Sequence, residues 1–300
     1  MPQVNKEDIS AVFKNIQDHI CKELERVDGQ GKFIEDKWQR PGGGGGRSRV
    51  IRAGNIIEKG GVNFSEVHGK TPEKILSSFR LTEGDFFATG VSIVLHPENP
   101  WVPIIHMNIR YFEMSNGTYW FGGGIDLTPH YVDTDDARTF HQKLKAVCDK
   151  HDTDYYKEFK PWADNYFYIK HRKETRGIGG IFFDHLSEDK NKSKEDIFNF
   201  VKDVGLIFAP IYTHFMTKNS VKTYGKREKD WQMNRRGRYV EFNLVLDRGT
   251  KFGLETDGRT ESILMSLPPM AGWEYNYQPT ANSLEAKTLS MLKKGINWVE

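Results

Sequence analysis

The feature that most constrains the fold of this chain is a pair of neighbouring segments with alternating side chains. In residues 105–110, three apolar side chains alternate with His106, Asn108 and Arg110. Successive side chains of a β-strand point to opposite faces of a sheet. Residues 91–96 repeat the alternation, and the prolines in residues 97–100 favour a turn between the two segments. The sequence predicts two adjacent strands whose shared polar face carries Ser92, His96, His106, Asn108 and Arg110.

Segments with helical periodicity lie on both sides of this strand block. The first begins at Asn5, a residue type favoured as an N-cap, and stops at Gly29. A later helix opens with Ser193 and Asp196 in the pattern of a capping box. Thr134 is the predicted N-cap of another helix. The final predicted helix carries Leu284, Thr288 and Met291.

The arrangement of these elements predicts the fold class. Residues 239–247 and 261–267 have the composition of further strands. Because turns rather than regular helical crossovers join most strands, we expect an α+β fold with a large, mainly antiparallel sheet flanked by helices on both faces. Residues 1–300 show neither an internal repeat nor a linker, so a single domain is predicted.

Composition excludes several classes of protein. The chain has 28% charged and 37% hydrophobic residues, which is ordinary for a globular enzyme. No run approaches the roughly 20 apolar residues of a membrane span, and the first residues form no signal or transit peptide. Cys21 and Cys148 are too few for a disulfide framework or a zinc site. We therefore expect a cytoplasmic protein without a membrane span.

Two arginine clusters suggest an anionic ligand. The arginines of each cluster are close to one another in sequence, and the whole chain has a formal net charge of +2. An RNA-binding module is one alternative, but no nucleic-acid-binding motif accompanies the clusters, so no nucleic-acid partner is expected. The clusters consist of Arg47, Arg49, Arg52, Arg235, Arg236 and Arg238.

Four histidines raise the question of a metal site. Histidine binds divalent metals and also serves as an acid or a base near neutral pH. The spacing matches neither a helical His pair nor a facial triad, so hydrogen-bonded histidines around a polar cleft are the alternative. The possible metal ligands are His96, His106, His141 and His171.

Two further charged residues are candidates for chemistry. Asp126 follows three glycines, where its carboxylate would either cap a turn or accept hydrogen bonds from a ligand N–H. Arg259 stands at a predicted turn before a strand, where its guanidinium would either bind a carboxylate of a ligand or form a surface ion pair.

Eight segments together resemble the oxygen-dependent coproporphyrinogen III oxidase family. They occur in the family's order and span nearly the whole chain, which is more specific than any one motif. The segments are residues 42–49, 58–65, 106–112, 120–129, 170–172, 176–184, 239–243 and 258–266.

The resemblance implies a reaction and a partner. The reaction is oxidative decarboxylation of two propionates of coproporphyrinogen III to vinyl groups, with O₂ as co-substrate. Its products are protoporphyrinogen IX, CO₂ and H₂O₂. The resemblance also implies a homodimer, with residues 239–274 as the dimerisation region.

The resemblance further implies roles for individual residues. His106 is the expected proton donor, with Asp126 and Arg259 as the other catalytic candidates. The four histidines are possible ligands of a divalent metal. The expected substrate-binding residues are Ser92, Asn108, Ile109, Arg110, Asp257, Gly258 and Arg259.

The chemistry of a porphyrinogen agrees with these roles. Four carboxylates around an apolar, electron-rich macrocycle require guanidinium clamps, apolar walls and a carboxylate near the pyrrole N–H groups. Since the macrocycle itself can react with O₂, we expect no required cofactor. The alternatives are a non-catalytic tetrapyrrole-binding protein, separable by product formation, and a metal-dependent decarboxylase, separable by chelation.

Overall fold

One antiparallel sheet of seven strands forms the centre of the molecule. The computed structural model describes residues 4–71, 76, 83–255 and 258–300. The order of the strands in the sheet is β1-β2-β3-β4-β5-β6-β9. Strands β7 and β8 pair separately. The strands are β1 (Ile34–Gln39), β2 (Gly44–Arg52), β3 (Ile57–Lys70), β4 (Asp85–Pro97), β5 (Ile104–Met114), β6 (Tyr119–Thr128), β7 (Tyr168–Ile169), β8 (Glu174–Thr175) and β9 (Gly180–Leu186).

Helices precede, interrupt and follow this sheet. The predicted residues Asn5 and Gly29 are the N-cap and the C-cap of the first helix, and the predicted capping box of Ser193 and Asp196 is present at the start of the fourth. Asp133, rather than the predicted Thr134, caps the second helix. The helices are α1 (Lys6–Asp28), α2 (Thr134–His151), α3 (Tyr155–Tyr166), α4 (Lys194–Asn219), α5 (Lys226–Glu241), α6 (Arg248–Glu255), α7 (Thr260–Leu264) and α8 (Leu284–Met291), with a π-helix (Phe242–Leu246) between α5 and α6.

The hydrophobic core lies on one face of the sheet. Ile105, Met107 and Ile109 of β5 are completely buried there, as the alternation predicts. Helices α1 and α4 pack against this face. Gly205 allows close contact, because a Cβ at this position would lie 2.9 Å from a terminal methyl of Ile109. The apolar face of the two predicted strands is therefore confirmed as core.

The opposite face of the sheet is covered in part by the C-terminal helices. Ser262 of α7 lies with its Oγ 2.9 Å from that of Ser48 on β2, and its carbonyl accepts a 3.0 Å hydrogen bond from Asn63 on β3. A Cβ on Gly61 would lie 1.7 Å from the sulfur of Met265, so this side chain rests directly on the strand. The predicted α+β fold with helices against both faces is confirmed.

Two predicted strands are wrong. Residues 239–247 form the end of α5 and the π-helix, and residues 261–267 include most of α7. Tyr239 and Phe242 are three residues apart and both lie against Arg176, as neighbours on one helix face do. Aromatic residues are common in strands, but the three-residue spacing of Tyr239 and Phe242 is typical of a helix.

Within residues 4–71, 76, 83–255 and 258–300, no helix is both long and apolar enough to cross a membrane.

The arginines of the two clusters are largely paired with carboxylates of the same chain. Most of the clustered guanidinium groups have carboxylate partners, so they are poorly placed to form a nucleic-acid surface. The pairs are Arg47 and Arg49 with Asp18, Arg235 with Glu174, Arg236 with Glu58, and Arg238 with Glu241.

Candidate active site

The polar face of the central strands is lined by short side chains. Because directly paired residues of an antiparallel sheet point to the same face, the strand register defines rows across the sheet. The row through Asn108 contains Ser48, Asn63, Ser92 and Gly124. The next row, through Arg110, contains Gly46, Ser65, Gly90 and Gly122. Helix α7 covers Ser48 and Asn63, and Trp38 lies beside Gly46. The short residues of β4, β5 and β6 in these rows leave the space in which a flat ligand would fit.

His106 is held by a buried carboxylate at one end of this face. It pairs across the strands with Asp126, and its Nδ1 lies 2.8 Å from Oδ1 of Asp126. Arg176, in the loop before β9, donates from Nη2 to the same oxygen at 2.6 Å and from Nε to Oδ2 at 3.3 Å. Asp126 is 1% exposed and Arg176 is 3% exposed, while His106 remains 21% exposed. The buried ion pair thus supports a histidine that faces the cleft.

The electrostatics of this group keep Asp126 ionised. Burial alone would raise the pKa of Asp126, but the charge of Arg176 and the hydrogen bond from His106 outweigh it and hold the pKa below its usual range. An ionised carboxylate only accepts hydrogen bonds, so Nδ1 of His106 carries the proton. Nε2 of His106 is then the ring nitrogen available to a ligand.

An aromatic cage surrounds the guanidinium of Arg176. Its central carbon lies 4.4 Å from the ring centre of Phe167 and 4.6 Å from those of Tyr239 and Phe242. Such contacts between a cation and ring faces are favourable, especially away from water. The remaining terminal nitrogen, Nη1, donates to Oδ1 of Asn243 at 2.9 Å. The π-helix therefore supplies both a cage ring and a hydrogen-bond acceptor.

Arg110 lies on the same face as Asn108, one pleat away. Its Nη2 is 2.8 Å from Oδ2 of Asp184 on β9, and its side chain is 42% exposed. Gly122 lies between the two, since a Cβ there would come within 2.5 Å of the Asp184 carboxylate and 2.7 Å of Arg110 Nε. The guanidinium is ordered by Asp184 and stays open to a ligand.

Arg259 is anchored from the opposite side of the cleft. It is the N-cap residue of α7, and it pairs with Asp36 of β1. Nη1 donates to Oγ of Ser262 at 3.1 Å and to that of Ser48 at 3.3 Å. It precedes a helix rather than the predicted strand.

Five further residues were predicted to contact the substrate, and four of them lie among the described residues. Gly258 is half-buried beside Arg259, and Asp257 lies outside the described residues. The side chain of Ile109 points into the core on the other face, so only its backbone would meet a ligand. Ser92 and Asn108 are directly paired and half-buried on the polar face.

The four histidines do not form one cluster. His96 is buried and bonds through Nε2 to the Ser266 carbonyl at 2.9 Å. Both ring nitrogens of the buried His141 are used, by the Tyr156 hydroxyl and by the Ile178 carbonyl. His171 is exposed and pairs with Glu241. In the part of the chain that the structure describes, no group of three or more His, Cys, Asp and Glu side chains is placed to hold a metal ion. These donors do not fit the predicted four-histidine site.

The carboxylate of Asp126 is not free to accept a hydrogen bond from a ligand. Both of its oxygens are used by Arg176 and His106, so it would reach a bound pyrrole through the histidine rather than directly. Sequence reasoning missed Arg176 and Asn243, which lie 50 and 117 positions beyond Asp126. Both residues stand in segments that resemble the family, 176–184 and 239–243, but nothing in those segments indicated a contact with Asp126.

The arrangement is suited to proton transfer next to a bound polyanion. A histidine with one nitrogen fixed by a buried carboxylate exchanges a proton at the other nitrogen. Two guanidinium groups on the cleft provide charge and bidentate geometry for carboxylates.

Comparisons with known proteins agree with this chemistry. A family model described as Coproporphyrinogen III oxidase matches residues 8–298. The oxygen-dependent coproporphyrinogen-III oxidase of Prochlorococcus marinus (strain NATL1A) is 50% identical over 307 residues, which cover 94% of this chain and 88% of that protein. The protein of the same name from Synechococcus sp. (strain CC9605) is 48% identical over 322 residues, covering 99% of this chain and 89% of the relative.

Proposed function

This chain belongs to the coproporphyrinogen III oxidase family, and from that premise we propose how its site carries out the oxygen-dependent decarboxylation of heme biosynthesis. In each round one propionic acid group and one O₂ become a vinyl group, CO₂ and H₂O₂. Two rounds convert coproporphyrinogen III to protoporphyrinogen IX. The oxidase names of the relatives favour turnover over the non-catalytic tetrapyrrole-binding alternative.

The buried pair of Asp126 and Arg176 behind His106 is the observation that carries this proposal. The carboxylate fixes the ring through Nδ1, so Nε2 exchanges a proton with the pyrrole or with the reacting side chain. Because the ion pair is already desolvated, it needs little rearrangement when charge develops on the macrocycle. We assign His106 as the proton donor, and Asp126 as the group that orients it.

Substrate carboxylates are assigned to the two clamps. Arg110 rises from the sheet and Arg259 comes from the start of α7, so they bracket the flat face from two sides. The row of Ser92, Asn108 and Gly124 lies under the macrocycle and offers hydrogen bonds without steric bulk. Gly258 and the neighbouring Asp257 join Arg259 in this assignment.

The oxidant is O₂, and we propose that no bound cofactor is required. Conversion of each propionic acid group to a vinyl group and CO₂ releases the two electrons and two protons that turn one O₂ into H₂O₂, so the protein needs to supply only positioning, proton transfer and electrostatics. The four predicted histidine ligands are assigned no metal here, because their ring nitrogens serve different parts of the fold.

A homodimer is the proposed assembly. Exposed apolar side chains are concentrated in residues 239–274, where a second copy would cover them. Light scattering of the purified protein tests this, and a monomer at micromolar concentration would contradict it. The side chains are Leu244, Val245, Phe252, Leu254, Met270 and Trp273.

A cytoplasmic location is also proposed. Cys21 and Cys148 are free, buried thiols, and burial raises the pKa of each to about 12. Inert thiols of this kind are common in proteins of a reducing compartment.

The proposed reaction is tested by converting freshly reduced coproporphyrinogen III and measuring protoporphyrin fluorescence after oxidation. Product is expected in air and in air with EDTA, but not under argon. Loss of product with EDTA, restored by one divalent metal, would contradict the cofactor-free proposal. A protein that binds the macrocycle but forms no product in air would contradict the oxidase assignment.

A further inference from the structure

We infer that Asn243 is a positioning residue of the decarboxylation site, acting through Arg176 and Asp126 on His106. This inference rests on the proposed function and deepens it. The π-helix (Phe242–Leu246) delivers Asn243 to the site, and the residue has no role among those assigned above.

The first step of the argument is the accounting of donors on Arg176. Nε and Nη2 bind Asp126, so their direction is fixed by the carboxylate. Nη1 has Asn243 as its hydrogen-bond acceptor, at 2.9 Å. Both residues are buried, at 3% and 5% exposure, where water does not readily replace a lost acceptor. An unpaired donor in such a place is costly, so the guanidinium would turn towards another acceptor.

A second carboxylate acts on Arg176 through its charge. Burial alone would lower the pKa of Arg176, but the charge of Asp126 raises it, and Asp247, at the C-terminal end of the π-helix, makes a smaller contribution to the rise. Asp247 itself accepts from the Tyr166 hydroxyl and from the backbone of Thr250. The Asn243 amide occupies Nη1 with a neutral acceptor. Nε and Nη2 are then left to Asp126.

The π-helix is the second step of the argument. The backbone N–H of Asp247 donates to the carbonyl of Phe242 at 2.9 Å, five residues back. Phe242 stacks on the guanidinium of Arg176, and the next residue, Asn243, bonds to its edge. Wide turns of this type are rare and are found mostly at functional sites. Two consecutive side chains of this turn act on one buried cation.

The experiment compares acceptor-removing and acceptor-keeping variants of Asn243. Asn243→Ala and Asn243→Leu both remove the acceptor, with opposite changes in volume, so one folded variant is sufficient. Misplacing a catalytic group by about an ångström costs on the order of 100-fold, so we expect kcat to fall roughly 10- to 100-fold. KM should stay within about three-fold, because no clamp is touched. Asn243→Asp keeps an oxygen at Nη1 and should retain more activity than either.

Ser266→Ala is the matched control. It removes the distant partner of the Asn243 amide, at 3.4 Å, together with a local hydrogen bond to the Ile263 carbonyl at 2.9 Å, and should leave kcat unchanged. In the acceptor-free variants the acid limb of the kcat profile should move to higher pH. Asp126 is then less well compensated by Arg176, and its pKa rises. A merely structural role would lower the melting temperature without moving this limb.

A readout without turnover separates this inference from the proposed function. The Arg176 Nε–H resonance in ¹H–¹⁵N spectra reports the contact with Asp126. It should shift in Asn243→Leu or Asn243→Ala and stay in place in Ser266→Ala. Wild-type kcat, pH profile and resonance position in a folded acceptor-free variant would overturn the inference. A wild-type protein without oxidase activity would overturn the proposed function instead.

Discussion

Single residues matter most in this site where a charge is buried. Asp126 and Arg176 have little contact with solvent, so each depends on the other to offset desolvation. Such a pair is costly to break, because removing one charge leaves the other uncompensated. The same dependence gives the pair a fixed geometry behind His106.

Asp126→Asn tests this pairing. The substitution keeps the shape of the side chain but leaves Arg176 as an unpaired buried cation, so we expect about 3–5 kcal/mol of lost stability. The kcat should fall as well, because the amide no longer fixes the tautomer of His106. Urea unfolding and steady-state kinetics measure the two effects. Normal turnover with unchanged stability would show that the carboxylate is not needed.

Arg259→Ala tests the clamp at the start of α7. Hydrogen bonds to charged groups contribute about 1.5–3 kcal/mol, so kcat/KM should fall roughly 10- to 150-fold. Of the partners that remain, Asp36 is exposed to solvent, and the buried Ser48 keeps its hydrogen bond with Ser262. An unchanged kcat/KM in the folded variant would reduce Arg259 to a surface ion pair.

The sequence was informative for site residues that share a strand and uninformative for those brought together by the fold. Alternation alone placed Ser92, Asn108 and Arg110 on one polar face. The contacts of Arg176 with Asp126 and Asn243 span 50 and 67 positions, which no local pattern reports. Their burial depends on helix packing that sequence periodicity leaves open.

Elements of secondary structure were predictable where their periodicity was unambiguous. Strands β4 and β5 and the caps of α1 and α4 follow from local rules. The segments read as strands at residues 239–247 and 261–267 became helical. In the second of these, Ser262 and the C-cap residue Met265 are three positions apart and both side chains meet the sheet face, which is a helical spacing hidden by an apolar composition.

Strand β6 offers a test of the flat sheet face. Gly122→Ala adds a Cβ that would lie within 2.7 Å of both Arg110 and Asp184, so one of these flexible side chains must move. We expect KM to rise several-fold with little change in melting temperature, because Arg110 loses its orientation. Gly84→Ala, just before β4, is the control for strand stability alone, because a Cβ there would make only ordinary contacts, at 3.4 Å and beyond. Equal KM for the wild type and Gly122→Ala would remove Arg110 from the binding role.

The stability of the whole molecule should depend on pH through its buried histidines. Burial lowers the pKa of His130 and of His141 to about 3, and it lowers that of His96 as well. The unfolded chain binds protons below about pH 6.5, where the folded protein keeps these rings neutral. Stability is therefore full above that pH and is lost as pH falls towards 3, by at most about 1.4 kcal/mol per pH unit for each histidine.

Chemical denaturation between pH 4.5 and 7.5 measures this slope. His141→Gln should make the slope shallower than in the wild type, because one ring that stays neutral in the folded protein is removed. Identical slopes for the wild type and His141→Gln would mean that His141 is protonated in the folded protein. The depressed pKa of Asp126 acts in the same direction at still lower pH.

The wide turn of Phe242–Leu246 also limits how this segment can evolve. Its inner residues, Phe242 and Asn243, touch Arg176, while the next two, Leu244 and Val245, are on the outer surface. Deleting one residue would rotate all that follow by about 100° and put an outer side chain where an inner one belongs. We expect homologous chains to vary in composition along the outer side of this turn but to keep its length constant. Insertions and deletions should instead accumulate outside the continuous run from α5 to α6, for example in residues 220–225 before α5.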